Sequence, residues 1–441
     1  MENLTLKKGF NLKLAGRPDA FIKKIPPQDT VAVSALDIPY IRPKLLVKEN
    51  ERVQTGSPIF CDKRDRAIQY VSPATGTIKE IQFGPRRRLL AVTIECEEQD
   101  DYLTCDPISD LNEITTEKLV STLKKGGLWQ GFRQFPYQDT ANSTHPPMII
   151  VSLDGNDIFS PTPGIVLENQ HDMFEFGLNI LKKFSQNIIV TVRESHFEKL
   201  GHSKKYVTHK VPDIFPSWNP GVVLYHLKKS SEDNVSWCIS LGHLLMMAKY
   251  LSTGHYSPEK FVTISKPDEL KPHFLIRLGM PIKSFIGSVS SDVLISTGLF
   301  NGRLASIEDY AGFFENTYNV ISADESERMF GFVHLGKTLP TVSKTFLSCL
   351  MERKLAFDAT LHGEERACIN CSYCENICPN DLMPQYIMKA LVTDEIEDAL
   401  QLGLLDCCQC GLCAYCCPSK IELSKIIANG IDNYHATISK S

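Results

Sequence analysis

The sequence has no apolar run long enough to cross a bilayer, which takes about 20 residues. Its longest candidates, Met148–Leu153 and Leu241–Ala248, stop far short, and the second contains His243. A soluble chain, or one peripheral to a membrane complex, is therefore expected. One-sided charge is missing too. Lys and Arg number 47 against 52 Asp and Glu, a net charge of -5, which leaves no nucleic-acid footprint. The one basic run, Pro85-Arg86-Arg87-Arg88, is short and reads as a solvated hairpin edge. No secretory leader opens the chain, so disulfides are not expected and a reducing compartment is.

Cysteine is what the chain has in excess. Ten of its 15 cysteines fall between 368 and 417. They form Cys368-Ile-Asn-Cys371-Ser-Tyr-Cys374-Glu-Asn-Ile-Cys378-Pro379 and Cys407-Cys-Gln-Cys410-Gly-Leu-Cys413-Ala-Tyr-Cys-Cys417-Pro418. Both fit C-x2-C-x2-C-x3-C-P, the run of two-cluster iron–sulfur proteins, in which the fourth cysteine ligates the other cluster. The spacing therefore assigns Cys368, Cys371, Cys374 and Cys417 to one [4Fe–4S] cluster, and Cys407, Cys410, Cys413 and Cys378 to a second. Pro379 and Pro418 turn the chain away after each fourth ligand. Structural zinc also uses C-x2-C pairs, but explains neither the third step of three nor the final proline. Cys408 and Cys416 fall off the ligand spacing and read as packing or shielding residues. Cys61, Cys96, Cys105, Cys238 and Cys349 read as small buried hydrophobes.

The pattern divides the chain into an α/β and α+β multidomain protein. Residues 1–100 are rich in short strands: an alternating stretch from Val47 to a turn at Gly56, two strands around Pro73 and Gly76, and Leu89–Glu95. They suggest a barrel-sandwich hybrid of the biotinyl/lipoyl kind. Asp62-Lys63-Arg64 lies near its hairpin without a carrier motif, so a structural barrel is expected. Residues 101–257 read as a Rossmann-like α/β domain. Its expected elements are a helix over Glu113–Leu123, a buried strand over Pro147–Leu153, a helix over Phe174–Phe184, a strand over Asn187–Val192, and a helix, or a strand and then a helix, over Asn234–Leu251. Residues 258–339 form a β-grasp-like module, with strands at Phe261–Ile264 and Asp292–Ser296, Gly298 and Gly302 in a loop, and a turn and strand over Glu325–Leu335. It holds no catalytic triad, H-E-x-x-H or P-loop. Residues 340–441 are expected to be helical and ferredoxin-like: an apolar stripe over Val342–Leu355, short helices over Pro384–Leu391 and Glu395–Leu402, a last helix over Ile421–Ile431, and ten frayed residues.

One glycine loop, Gly126-Gly127-Leu-Trp129-Gln-Gly131-Phe132, brings the backbone into position to approach a phosphate. It does not follow a clear strand, as a dinucleotide fingerprint must, and reads more readily as a packed turn. Gly126, Gly127, Trp129, Gly131 and Arg133, with Phe135, are the candidates for a quinone site or a vestigial flavin site.

The opening Leu6-Lys-Lys-Gly9-Phe-Asn-Leu-Lys-Leu14-Ala-Gly16-Arg-Pro18 resembles the start of the A subunit of the sodium-translocating NADH:quinone oxidoreductases (Nqr type). So do Ser72–Gly76, Gly127-Leu128-Trp129 with Arg133–Pro136, Val235-Ser236-Trp237 with Ile239, Gly336-Lys-Thr through Thr345-Phe-Leu, and Leu361–Arg366. The resemblance covers nearly the whole chain. It implies a barrel-sandwich, a Rossmann-like domain, a β-grasp module and a helical domain, as in the flavoprotein subunit of respiratory complex I. It also implies a peripheral subunit on the cytoplasmic side of the bacterial inner membrane, associated with ubiquinone, with NADH oxidation and FAD on another subunit. The familiar A subunit lacks the eight cysteines, which are similar instead to those of the C subunit of the Rnf complex. The flavin and NADH loop of that C subunit is reduced here to Gly126–Phe132, and its acidic motif is not matched at Asp154-Gly155-Asn156-Asp157.

These readings imply a subunit that relays single electrons through two [4Fe–4S] clusters within a sodium-translocating NADH:ubiquinone oxidoreductase. FMN is not expected, and the chain is not expected to be a complete enzyme alone. Its partners would be the other subunits of an Nqr- or Rnf-like membrane complex, with quinone as a further candidate ligand. The alternatives are an Rnf-type subunit that takes electrons from NADH through FMN, and a docking scaffold with structural clusters.

Overall fold

A computed structural model describes residues 1–108, 110–142, 145–267, 269–290, 293–323, 337, 347–359 and 364–439 of the 441. The central body is a seven-stranded sheet. Its order is Glu2–Asn3, His209–Val211, Ile188–Arg193, Ile149–Ser152, Trp237–Ser240, Arg133–Gln134 and Asp139–Thr140. The first five pair in parallel, and the last two add antiparallel. Asn234–Leu251 resolves into the strand Trp237–Ser240 and the helix Leu241–Thr253, which the Ser240 hydroxyl caps by accepting from the His243 N–H. Ile149–Ser152 is buried throughout, as a parallel strand covered on both faces must be.

Alternation along these strands feeds two cores. Ile149, Val151, Val190, Val192, Trp237 and Ile239 face the helices His171–Leu181 and Leu241–Thr253. Ile150, Val211 and Cys238 face the other way, into a core shared with Val222, Val223, Cys408, Cys410 and Leu412. The cysteine-bearing segment is thus seated on the back of the central sheet.

The barrel-sandwich pairs two sheets. One is Thr30–Ser34, Leu89–Cys96, Gly76–Phe83 and Arg52–Val53; the other is Pro43–Leu45, Pro58–Asp62 and Gln69–Val71. Arg64 is tied to both Asp62 and Asp139, which makes the Asp62–Arg64 hairpin a structural joint with the central sheet. A third, six-stranded sheet runs Leu304–Ala305, Val293–Ser296, Thr317–Ser322, Glu259–Ser265, His273–Arg277 and Ile22–Lys24. The first 25 residues therefore do not stay with the barrel. Glu2–Asn3 joins the central sheet, Phe10 bridges to Phe215, and Ile22–Lys24 lies parallel to His273–Leu275.

In the C-terminal segment the helices Pro384–Val392, Ile396–Gln401 and Leu423–Ile438 pack around Leu382, Ile387, Ala399, Leu404, Ile427 and Ile431, while Tyr373–Ile377 and Leu412–Tyr415 join the core on the back of the central sheet through Cys374, Ile377 and Leu412. Two expectations change here. The last helix runs to Ile438 instead of fraying after Ile431. It is held by contacts from other domains: the Tyr40 hydroxyl donates to Asp432 at 2.7 Å, and His435 lies between the rings of Tyr40 and Tyr137. The stretch Val342–Leu355 is not a helix where it is described; Leu347–Leu350 is a single 3₁₀ turn, followed by irregular chain that the Leu14–Leu355 bridge pins down. Glu325–Leu335, residues 342–346 and most of Gly336–Leu347 lie outside the described residues. Among the described residues no helix is long and apolar enough to cross a membrane.

Candidate metal centre

Each cysteine of the first run has a counterpart thirty-nine residues on: Cys368 with Cys407, Cys371 with Cys410, Cys374 with Cys413, Cys378 with Cys417. The backbone repeats with them. Asn370 (φ 53°) matches Gln409 (φ 53°), Ser372 (φ 58°) matches Gly411 (φ 81°), and Asp381 (φ 51°) matches Lys420 (φ 58°). A non-glycine residue with positive φ costs about 1–3 kcal/mol and persists where its surroundings demand it. Left-handed residues alternating with ordinary ones turn successive peptide N–H groups into one concavity, an anion-binding arrangement that recurs at iron–sulfur sites. Only Gly411 also has a packing reason: a Cβ there would stand 2.6 Å from the Phe300 Cβ.

The structure brings Cys368, Cys371, Cys374 and Cys417 to the wall of one cavity, with Gln385, Ile421 and Leu423. The cavity is narrow, about 20 Å³, beside the exposed Ile369 and Tyr373. Cys378, Cys407, Cys410 and Cys413 form the second group. Burial pushes the Cys407 thiol up to about 12, with Cys410 and Cys378 adding to it. Burial also pushes Cys378 up to about 11 and Cys413 well up, and each feels Cys410. Cys410 alone is lowered, chiefly by a hydrogen bond from the Cys408 thiol. Four crowded, buried thiols resist becoming four thiolates unless a cationic centre sits among them.

Backbone donors are already aimed at these sulfurs. The Gln409 N–H donates to Cys407 Sγ at 3.4 Å, Leu382 and Asn380 donate to Cys378, and Leu412 to Cys410. Such bonds favour the thiolate. Among the described residues no three His, Cys, Asp or Glu side chains converge as the ligands of a single ion would. The thiolates of a cube each bind a separate iron and stand farther apart. The donor set of cysteines and the curled backbone are of the kind that [4Fe–4S] clusters would use. All fifteen cysteines are free thiols.

Cys408 and Cys416 are buried. Cys408 packs against Gly221, where an added Cβ would lie 3.1 Å from its own, and Cys416 Sγ donates to the Cys413 carbonyl at 3.5 Å. Of the five scattered cysteines, Cys61 and Cys238 are buried, while Cys96, Cys105 and Cys349 are only half-buried, a correction to their reading as core residues.

Several residues at this centre carry no sequence signal. Lys8 Nζ, from the N-terminal arm, donates to the Glu375 carbonyl at 3.2 Å and pairs with Asp381 at 2.8 Å. His226 Nε2 lies 2.8 Å from the Pro379 carbonyl, and Lys228 pairs with Asp406 at 2.5 Å. Phe10 and Phe300 pack against Tyr415. Only the pairing in space reveals them.

Beside Cys407, between the central sheet and the cysteine segment, lies a cavity of about 310 Å³. Phe135, Pro136, Leu224, Tyr225 and Leu405 line it, with Asn234 and Asp406 as its polar groups. The glycine loop is elsewhere. Gly126 and Gly127 end the helix Thr116–Lys125, and Trp129 is buried against Phe132, Phe184 and Trp237, with its indole N–H donating to the Ala141 carbonyl at 2.9 Å. Arg133 is buried over the Phe314 ring. Among the expected quinone or flavin residues, only Phe135 reaches the wall of this cavity.

The crevice at the carboxyl ends of the parallel strands, where α/β sheets hold nucleotides, is filled by the chain itself. Asp154 accepts from Arg193 Nε at 2.9 Å and from the Arg193 N–H at 2.7 Å, with His196 Nδ1 at 2.5 Å. Burial raises its carboxyl, but Arg193 and His196 outweigh burial and hold it below the ordinary range. Arg193 stacks on Trp218 at 4.4 Å.

Two family models match the chain: the NqrA N-terminal barrel-sandwich hybrid domain over residues 4–97, and the NqrA second alpha/beta domain over residues 114–256. Neither reaches the cysteine runs. A protein of Marinomonas sp. (strain MWYL1), named as the A subunit of a Na(+)-translocating NADH-quinone reductase, is 26% identical over 434 residues, covering 96% of this chain and 97% of its own. A protein of the same name from Rhodopirellula baltica is 27% identical over 441 residues, covering 97% and 96%.

Proposed function

Given that this chain belongs to the NqrA family, we propose that it is the A subunit of a sodium-translocating NADH:quinone oxidoreductase that also relays electrons. The observation that carries the relay is the gathering of eight cysteines into two groups, each completed by the fourth cysteine of the other run. Bound there, [4Fe–4S] clusters supply one-electron transfer.

The chain's own residues do the rest. Cys368, Cys371, Cys374 and Cys417 would hold one cluster, and Cys407, Cys410, Cys413 and Cys378 the other. Gln409, Leu412, Asn380 and Leu382 direct peptide N–H groups at the sulfurs. Leu412 shares a buried core with Cys374 and Cys410, and Phe300 and Tyr415 pack against it. For the quinone that the relatives' name carries, we assign the cavity between Phe135, Tyr225 and Leu405, because it adjoins Cys407 and falls in the size range of small-molecule sites.

The reading with FMN and NADH on this chain is less well supported, since Asp154, Arg193 and Trp218 occupy the crevice such a ligand would need. The test is anaerobic purification followed by iron, sulfide and flavin analysis and EPR of the dithionite-reduced protein. About eight iron per chain, coupled [4Fe–4S] signals and no flavin are expected. Stoichiometric FMN would favour the Rnf-type reading, and zinc without iron would leave a scaffold.

A further inference from the structure

We propose that Gln385 is a positioning residue whose side-chain amide donates a hydrogen bond to the sulfur of Cys374 and so separates the reduction potentials of the two sites. This rests on the relay reading above.

Gln385 opens the helix Pro384–Val392, is 4% exposed, and lines the cavity of Cys368, Cys371, Cys374 and Cys417. With Cys374 as a thiol, its S–H donates to Gln385 Oε1 at 3.1 Å, while Gln385 Nε2 donates to Glu375 Oε2 at 3.1 Å. A ligand sulfur has no proton to give. It only accepts. The two ends of a carboxamide are nearly the same shape, so half a turn about its last torsion puts an N–H where the oxygen stood; the bond to Glu375 is given up, and that half-buried carboxylate turns to solvent. Gln385 is then a donor held against Cys374 by a buried helix start. A hydrogen bond to a ligand sulfur favours the more negative, reduced state and raises the potential.

The other site lacks this donor. The residue thirty-nine positions after Gln385 is Ser424, half-buried and shorter, and among the described residues no side chain donates to Cys413. Its nearest equivalent is the Cys408 thiol on Cys410, a weak donor. Solvent adds to the difference: Cys374 and Cys410 are buried in one shared core, but exposed Ile369 and Tyr373 flank the first site, and the neighbours of Cys410 in the second, Cys408 and Leu412, are buried. Both effects place the higher potential at the outer site, so an electron shared between the two rests there.

The test is an EPR-monitored redox titration of the full chain with Gln385→Leu. One midpoint should fall enough to change the electron's distribution between the sites at least tenfold, about 59 mV for one electron, with the other midpoint unchanged. Equal midpoints in variant and parent, with full iron content, would overturn the proposal alone. A parent chain without clusters would overturn the relay reading as well. A measurement on the unsubstituted chain guards against a variant that fails to fold. With ¹⁵N placed only in glutamine side chains, pulsed EPR should find a nitrogen coupled to one cluster, and no coupling would overturn the proposal.

Discussion

The rings of Tyr40 and His435 meet at a tilt of 43° with centroids 4.2 Å apart, joining the barrel-sandwich to the last turns of the final helix. The Tyr137 ring approaches His435 at 4.5 Å, and Asp139 lies 3.5 Å from its Nε2. This contact holds the cysteine segment against the body at the side away from the cysteines.

His435→Ala should therefore loosen the C-terminal helix without touching a thiol. Losing two ring contacts of this kind costs about 1–2 kcal/mol. Hydrogen exchange at 432–438 should rise while iron content stays at the parent level. Unchanged exchange would show that the helix is held by Ile427 and Ile431 alone.

Cys371→Ser should remove or convert one cluster and spare the other, and Cys410→Ser should do the reverse, because each group has its own central thiolates. Cys408→Ser should keep all the iron. Iron analysis and EPR decide it, and loss of both clusters from either central variant in a folded chain would sink the crossed assignment.

Asp154→Ala should be among the most destabilising substitutions in the central domain. It leaves Arg193 buried and unpaired, a loss of about 3–5 kcal/mol in comparable pairs. Urea unfolding followed by tryptophan fluorescence measures it, and a loss under about 1 kcal/mol would mean that water replaces the carboxylate.

Acid should weaken the joint between the central and third sheets. Burial, with help from Lys260 and Arg133, lowers His243 from 6.5 to about 3. Its ring stacks on Phe313 at 4.4 Å, and its Nε2 lies 3.1 Å from the Phe313 carbonyl. A base whose folded value is depressed contributes stability that is complete above 6.5 and is lost as pH falls toward 3. Over that window the unfolded chain holds one more proton, a slope of about 1.4 kcal/mol per pH unit. His243→Gln should flatten this part of the stability–pH curve, and an identical slope would place the titration elsewhere.

The gathering of Cys368, Cys371, Cys374 and Cys417 at one cavity was legible because a spacing is a local property. The strands Ile149–Ser152 and Ile188–Arg193 were legible for the same reason, as apolar runs between turn signals. What stayed hidden depends on distant partners. Nothing in Ile22–Lys24 names His273 as its neighbour, and nothing after Ile431 announces Tyr40. Gln385 looks like an ordinary helix-start residue until the fold carries it to Cys374. The glycine loop misled in the opposite way: its residues have the composition of a ligand site, but Trp129 and Arg133 are consumed by packing.

The N-terminal arm has a consequence for how the molecule is made. Its partners, Lys210, Phe215, His273 and Glu375, are all synthesised long after it. The arm must wait, unpaired, until these later segments exist, and such distant contacts close slowly. The arm then acts as a strap across three domains, with Lys8 as its buckle at the cysteines. Substitutions that unpair this arm would therefore loosen three domains at once.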